Sequence, residues 1–240
     1  MKFMGSKARI AKDISLIINN MIVENNIKVY IEPFVGGCNM IEHIKCEKKI
    51  GSDINEYLIS MWGDLQNGFE IPKEMSKEMY NEIKNNKENY PKSLVAIAGF
   101  CATYNAKWFG GYAGIVKTKV GTYRNYYDEA IRNIQKQVPK IKDVEFKYGD
   151  YRQYSNVKGA LIYCDIPYQG TTQYGNNKDF DYEVFWNWAR EMSETNIVLV
   201  SEYNAPDDFQ CIWTKQLTTT LDKNSRKKDV EKLFIFGNNK

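Results

Sequence analysis

The first helix and the first strand follow from the spacing of apolar residues near the N-terminus. Apolar side chains recur every three or four positions over residues 10–22, which predicts an amphipathic helix. The β-rich segment 28–32 follows, and Gly36 and Gly37 then interrupt the pattern before helical spacing resumes at Met40. We therefore predict a strand, a glycine turn and a helix.

The alternation of strand and helix continues after this turn. Residues 48–52 are predicted to form a second strand that ends at Asp53, and a helix follows over about 55–65. The order of strand, helix and strand implies parallel pairing in an α/β fold. Further strands are predicted at 144–148, 159–164 and 197–201, with a closing antiparallel pair near 209–221 and 231–236.

A long segment in the middle of the chain breaks this alternation. Charged helical stretches there flank a loop rich in Gly and Tyr, from Tyr104 to Tyr127. We predict an inserted, mainly helical lobe over residues 69–143. Residues 1–68 and 144–240 are then expected to form one catalytic domain.

Composition narrows the classes of protein and of site. The 240 residues carry a net charge of +3, which is too small to indicate a nucleic-acid partner by itself. Five cysteines without a CxxC pair and one histidine, His43, argue against a zinc site or a disulfide framework. We expect no targeting segment and no membrane span, because the N-terminus lacks basic residues beside an uncharged apolar run and no apolar run reaches about 18 residues. We expect a cytoplasmic protein that binds no metal and no membrane.

Residues suited to ligand binding follow four of the predicted strands. They are Gly36 with Gly37, Asp53, Tyr151 and Asp165. Open parallel sheets bind ligands beyond the carboxyl ends of their strands. Glycines let the backbone approach a ligand, and a carboxylate about 20 residues later can accept hydrogen bonds from a ribose diol. A tight turn without a ligand is the alternative interpretation of the glycines.

The segment Asp165-Ile166-Pro167-Tyr168 suggests more specific chemistry. The Asp165 carboxylate and a backbone carbonyl of Ile166-Pro167 are both suited to accept hydrogen bonds from an amine. The ring of Tyr168 is suited to stack on a flat base. An ordinary turn is the structural alternative.

Five segments, taken in order, resemble motifs of one enzyme family. They are Phe3–Lys7, Ile31–Gly36, Asp53–Asn55, Asp165–Tyr168 and Ser225–Lys228. Together they are similar to the motifs of the Dam-type DNA adenine methyltransferases, which form the alpha group of the D12 class. The second position of the catalytic tetrapeptide is Ile in this chain.

The resemblance implies a fold, a cofactor and a reaction. The fold would be a Rossmann-like α/β sheet of the class I S-adenosylmethionine-dependent methyltransferases, with an inserted target-recognition lobe. A methyl group would pass from S-adenosyl-L-methionine to the N6 amine of an adenine flipped out of double-stranded DNA. The resemblance leaves room for a cognate restriction enzyme as a partner. It does not imply a particular target sequence.

The resemblance also assigns roles to single residues. Phe3 and Lys7 would border the methionine part of the cofactor, Asp53 would hold the ribose hydroxyls, and Tyr151 would lie against the adenine ring. Asp165, Pro167 and Tyr168 would surround the target base. The full predicted cofactor site is Phe3, Lys7, Phe34, Gly36, Asp53, Tyr151 and Asp165.

Two positions depart from the family pattern. Phe3 stands where relatives often have Trp, and Cys38 stands where they often have a second Gly. If the backbone at Cys38 needs a positive φ, the cost is about 1 kcal/mol, which would weaken cofactor binding. Otherwise Cys38 is a small buried residue.

Cations interleaved with aromatic rings predict where DNA is contacted. Such a surface can bind phosphates and enter a stack from which a base has been extruded. For the loop from Tyr104 to Tyr127, the alternative is a solvated loop over aromatic core residues. For Arg226–Lys228, the alternative is a solvated turn. The predicted DNA contacts are Lys107, Trp108, Lys117, Lys119, Arg124, Arg226, Lys227 and Lys228.

Two other functions remain open from the sequence. An amine methyltransferase that acts on cytosine N4, RNA or protein would use a similar tetrapeptide. The second alternative is a DNA-binding homologue that has lost catalysis. The presence of Cys38 in place of the family's second Gly favours this alternative.

Overall fold

A seven-stranded sheet organises the fold. The computed structural model describes residues 1, 3, 5–118, 120–169, 180–218 and 228–237. The strands in chain order are β1 (Val29–Glu32), β2 (Lys48–Asp53), β3 (Ile115–Lys117), β4 (Tyr123–Asn125), β5 (Val144–Tyr148), β6 (Leu161–Asp165), β7 (Ile197–Glu202), β8 (Phe209–Thr218) and β9 (Lys228–Phe236).

The order of the strands creates a crevice at one edge of the sheet. The order is β5-β2-β1-β6-β7-β9-β8, in which the first five strands are parallel and β9 pairs antiparallel with both β7 and β8. From β1 the chain moves to β2 on one side, whereas β6 lies on the other side. Ligands bind where the order reverses in this way, beyond the carboxyl ends of the strands. The predicted open, mostly parallel α/β sheet is confirmed.

Helices cover both faces of the sheet. Alternate residues of one strand point to opposite faces, so Tyr30 of β1 joins one apolar cluster and Ile31 joins the other. Asn55 caps the second helix by accepting a hydrogen bond from the backbone N–H of Leu58 at 3.1 Å. The helices are α1 (Ala11–Glu24), α2 (Glu56–Gln66), α3 (Lys77–Asn85), α4 (Lys92–Ala96), α5 (Tyr126–Gln137) and α6 (Tyr182–Ser193).

The helix predicted after the glycine turn is wrong. A single 3₁₀ turn, Ile41–His43, stands in its place. Only nine residues separate Cys38 from Lys48, where β2 begins, which is too few for a helix of ordinary length together with its connecting turn. The apolar spacing is still used, because Met40, Ile41 and Ile44 are all buried.

The segment between α2 and β5 contains α3, α4, the β3–β4 hairpin and α5. Its buried residues Ile97 and Ile134 belong to the same apolar cluster as Tyr30 of the sheet, so this segment packs on one sheet face. The boundaries 69–143 of a target-recognition lobe stay a prediction. Of the helices described, none is long and apolar enough to cross a bilayer.

Candidate active site

Phe3 packs directly on the glycine turn that follows β1. Gly36 has φ +46°, and a Cβ atom built there would lie 2.9 Å from the Phe3 ring. At Gly37 a Cβ atom would lie 2.7 Å from the Cβ of Phe3. Side chains at these two positions would displace Phe3, so the close packing requires both glycines.

Three other parts of the chain hold this turn by hydrogen bonds. The Gly36 N–H donates to the Asp53 carboxylate at 3.1 Å, and the indole N–H of Trp62 donates to the Gly36 carbonyl at 3.0 Å. The Gln137 amide, from α5, donates to the Gly37 carbonyl at 2.9 Å. Trp62 and Gln137 were not predicted, because their roles depend on helix packing that no local motif encodes.

Asp53 is placed to accept hydrogen bonds from a ligand. Its second oxygen accepts the Asn55 N–H at 2.9 Å. Burial raises the pKa of Asp53 to about 6, although the backbone N–H donors lower it. The group is therefore mostly ionised at neutral pH. Each carboxylate oxygen accepts more than one hydrogen bond, so room remains for the hydroxyls of a ribose.

An aromatic wall stands beside Asp53. The rings of Phe34 and Tyr151 stack with their centroids 5.6 Å apart. Gly149, two residues before Tyr151, donates its N–H to the Asp53 carbonyl at 3.1 Å, which places the wall next to the carboxylate. Burial raises the pKa of Tyr151 to about 12, so its hydroxyl stays neutral. A flat apolar surface beside a carboxylate fits the adenosine part of a nucleoside cofactor.

Asp165 ends β6 and forms an ion pair with Lys7. The Lys7 ammonium lies 3.1 Å from an Asp165 oxygen, donates a hydrogen bond to the Tyr168 hydroxyl, and lies 3.9 Å from the centroid of the Tyr168 ring. Burial raises the pKa of Asp165 to about 6, while the Lys7 charge lowers it. The structure thus brings Lys7 of the Phe3–Lys7 motif together with Asp165 and Tyr168 of the Asp165–Tyr168 motif.

Glu231 belongs to the same cluster and was missed by the sequence analysis. Its carboxylate accepts a hydrogen bond from the Tyr168 hydroxyl at 2.7 Å and lies 3.4 Å from the Lys7 ammonium. Glu231 comes from β9, which reaches the site only because it lies beside β7. No local sequence signal indicates that pairing.

Two tyrosines fix the turn that follows Asp165. The Tyr182 hydroxyl, at the start of α6, donates to the Pro167 carbonyl at 2.9 Å. The ring of Tyr203 meets the ring of Tyr168 edge-to-face, with centroids 4.5 Å apart. Pro167 and Tyr168 are therefore held by α6 and by the segment after β7.

Cys38 has the strained backbone considered above. Its φ is +56°, in the left-handed region, and its side chain is fully buried. Cys38 therefore has the positive φ for which we expect a backbone cost of about 1 kcal/mol.

Most of the chain matches one family model. The family model for the D12 class N6 adenine-specific DNA methyltransferases matches residues 3–198. The chain belongs to this family. The predicted family, the adenine-specific DNA methyltransferase activity, the Rossmann-like methyltransferase fold and the cofactor S-adenosyl-L-methionine are confirmed.

Individual relatives are more distant. The Type II methyltransferase M.MjaIII of Methanocaldococcus jannaschii is 25% identical over 201 residues, which cover 70% of this chain and 68% of the relative. The putative RNA methyltransferase PH1948 of Pyrococcus horikoshii is 10% identical, with a TM-score of 0.39 over 95% of this chain and 82% of the other. SMU.472, a putative methyltransferase complexed with SAH, is also 10% identical. Its TM-score is 0.38, and the match covers 96% of this chain and 52% of SMU.472.

Two predicted DNA contacts of this D12-class enzyme lie on one exposed hairpin. Lys117 is on β3 and Arg124 is on β4. Arg124 forms an ion pair with Glu129 at 2.6 Å and lies 4.6 Å from the centroid of the Tyr126 ring. Both cations reach solvent, so they are available to phosphates.

The other predicted DNA contacts differ in their surroundings. Lys107 is exposed, whereas Trp108 is half-buried against Phe100 and Tyr57, with ring centroids 4.7 Å and 5.4 Å away. A DNA contact by Trp108 stays a prediction. The packing gives the Trp108 ring a structural role in the segment between α2 and β5.

The remaining predicted cations have no described side chain. Lys119, Arg226 and Lys227 lie outside the described residues, and Lys228 is described only as the first residue of β9. Their DNA contacts stay predictions. Within the described ranges, no group of three or more His, Cys, Asp or Glu side chains is placed to hold a metal ion.

Proposed function

We propose that this adenine methyltransferase flips an adenine out of double-stranded DNA and methylates its N6 amine in the crevice between β1 and β6. One observation carries the proposal: the two strands are paired, with Ile31 opposite Ile162. The glycine turn after β1 and Asp165 at the end of β6 therefore lie side by side at the edge of the sheet. A cofactor on the turn and a base at Asp165 would be neighbours, as a direct transfer requires.

The residues around the glycine turn fit the parts of S-adenosyl-L-methionine. Asp53 would hold the ribose hydroxyls, and Phe34 with Tyr151 would contact the adenine ring. Phe3 would border the methionine part, and Lys7 would pair with its carboxylate. When bound, the cofactor supplies a methyl group already activated on a sulfonium, so the protein mainly orients the acceptor.

The turn after β6 would orient the amine of the target base. The Asp165 carboxylate would accept one N6 hydrogen. We assign the second hydrogen to the Ile166 carbonyl, because the Tyr182 hydroxyl already uses one of the two lone pairs of the Pro167 carbonyl. Two acceptors draw the nitrogen lone pair out of conjugation with the ring. The Asp165 carboxylate would also accept the proton that N6 loses after methylation.

Lys7 links the cofactor site to the base site. Its ammonium contacts both the Asp165 carboxylate and the Tyr168 ring, which are the groups that would bind the base. We propose that Lys7 turns toward the carboxylate of the bound cofactor. That movement would remove the Lys7 ammonium from Asp165 and the Tyr168 ring, which would then contact the flipped adenine.

The hairpin cations would contact the DNA backbone around the flipped base. Lys117 and Arg124 are exposed on β3 and β4, and the basic residues Arg226–Lys228 precede and begin β9. We place the enzyme in the cytoplasm, where its DNA substrate would be. A cognate restriction enzyme is a proposed partner, because the relative M.MjaIII is a Type II methyltransferase.

The test is methyl transfer from radiolabelled S-adenosylmethionine to four substrates. They are genomic DNA from a methylation-deficient bacterium, the same DNA denatured, bulk RNA and a protein mixture. Label in double-stranded DNA that elutes as N6-methyl-2′-deoxyadenosine after digestion supports the proposal. Label in N4-methylcytosine, in RNA or in protein refutes it. Asp165→Ala is the matched inactive control.

A further inference from the structure

A buried carboxylate, Glu202, joins the two loops that frame the proposed base site. Glu202 ends β7, and only 2% of its surface is exposed. One of its oxygens accepts the backbone N–H of Gln169 at 3.0 Å, and the other accepts the N–H of Tyr203 at 2.6 Å. Gln169 belongs to the loop after β6, and Tyr203 belongs to the loop after β7. A single side chain therefore ties these loops together.

The two amides held by Glu202 lie next to the aromatic pair of the site. Gln169 directly follows Tyr168, and the Tyr203 ring lies edge-to-face on the Tyr168 ring. On the other side of Tyr168, the Pro167 carbonyl is held by Tyr182. Glu202 thus fixes the C-terminal end of the turn after β6. Asp165 lies at the N-terminal end of the same turn.

We propose that Glu202 is a positioning residue, which holds the turn from Asp165 to Tyr168 in the geometry that receives the amine. This inference rests on the proposed function, since it assigns the turn to the base. Glu202 has no assigned contact with the base or the cofactor. It acts through the backbone of Gln169 and Tyr203.

The clamp, by which we mean the two hydrogen bonds from the Gln169 and Tyr203 amides to Glu202, depends on the charge of Glu202. Both oxygens accept from N–H donors, so a protonated carboxyl would set an O–H against one of them. Burial raises the pKa of Glu202 to about 7, whereas the two N–H donors and Lys7 lower it. Among the described residues, the charged groups on the segments packed around Glu202 are Lys7, Asp165 on β6, and Glu231 and Lys232 on β9.

The first test is the single-turnover rate of Glu202→Gln. An amide offers one oxygen, so one of the two N–H bonds is lost. We expect the rate at pH 8 on methylation-free genomic DNA to fall about tenfold, the effect of one hydrogen bond. The dissociation constants for S-adenosylmethionine and DNA should stay within about twofold. Glu145→Gln, which removes an exposed carboxylate from β5, is the matched control and should leave all three values unchanged.

The second test does not depend on turnover. The backbone amide resonances of Gln169 and Tyr203 should shift together with pH in the wild-type protein, with a common midpoint near 7. In Glu202→Gln this shared titration should vanish. Glu202→Asp keeps the charge on a shorter side chain, so it should retain a titration and a rate above that of Glu202→Gln.

Three results would overturn the inference. They are an unchanged rate in Glu202→Gln, separate midpoints for the two amides, or a rate loss matched by equal losses in cofactor and DNA binding. The last result would indicate a general structural role. A wild-type enzyme that leaves adenine unmethylated would instead refute the proposed function, while the amide titrations would still report whether Glu202 forms the clamp.

Discussion

The Tyr168 hydroxyl donates a 2.7 Å hydrogen bond to the Glu231 carboxylate, so the last strand of the sheet contacts the proposed base-binding ring. Glu231 also lies 3.4 Å from the Lys7 ammonium. The orientation of the ring therefore depends on β9, although Tyr168 follows β6. A side chain held by a buried hydrogen bond loses rotational freedom before the substrate arrives.

Removal of this hydrogen bond should slow methyl transfer without removing the stacking ring. We expect Tyr168→Phe and Glu231→Leu each to lower the single-turnover rate about tenfold, and the double variant to be no slower than the slower single variant. Tyr168→Ala should be far slower, because it also removes the ring. Additive losses in the double variant would show that the two groups act independently.

The rate of methyl transfer should rise with pH between 5 and 7. The pKa of Asp165 is raised to about 6, and only the ionised carboxylate can take up the proton that N6 loses. The ionised fraction grows about tenfold between pH 5 and pH 7, so the rate should grow similarly. The measurement is the pH profile of the single-turnover rate at saturating cofactor. A rate that falls through this range would contradict the role of Asp165.

The strain at Cys38 predicts an unusual order of stabilities. Cys38→Gly relieves the positive φ, whereas Cys38→Ala keeps it, and both lose the buried sulfur. The Gly variant should have the larger free energy of unfolding in urea, by about 1 kcal/mol. Cys164, buried in β6, is the matched control, and there Ala should be more stable than Gly. If the Ala variant were more stable than the Gly variant at Cys38 as well as at Cys164, the backbone at Cys38 would not be strained.

The hairpin cations should contribute to the salt dependence of DNA binding. We expect the double change Lys117→Ala and Arg124→Ala to reduce the slope of log K against log salt by about 2. Lys28→Ala with Lys158→Ala is the control, because these lysines precede β1 and β6 at the opposite edge of the sheet. Equal slopes for wild type and the hairpin variant would remove the hairpin from the interface.

Local patterns were sufficient for the residues that end parallel strands. Gly36, Asp53 and Asp165 were predictable because strand periodicity marks where each strand ends, and parallel strands end at one edge of the sheet. The helix predicted after Gly37 failed because apolar spacing does not report how few residues remain before β2. A 3₁₀ turn buries the same side chains in that short connection.

Residues whose roles depend on distant pairings were not predictable in this way. Glu231 reaches Tyr168 because β9 inserts between β7 and β8. Glu202 accepts the Gln169 amide because β6 and β7 are neighbours, with Asp165 opposite Ser201. Gln137 reaches the glycine turn across the packing of α5 on the sheet. In each case a polar side chain gains its function from a contact between segments that are far apart in sequence.

The most direct test of the proposed reaction is modified-base sequencing of DNA from methylation-deficient cells that express the enzyme or its Asp165→Ala variant. We expect N6-methyladenine at one recurring sequence with the wild-type protein and none with the variant. N4-methylcytosine in place of methylated adenine, or equal adenine methylation with both proteins, would contradict the assignment of the amine to Asp165.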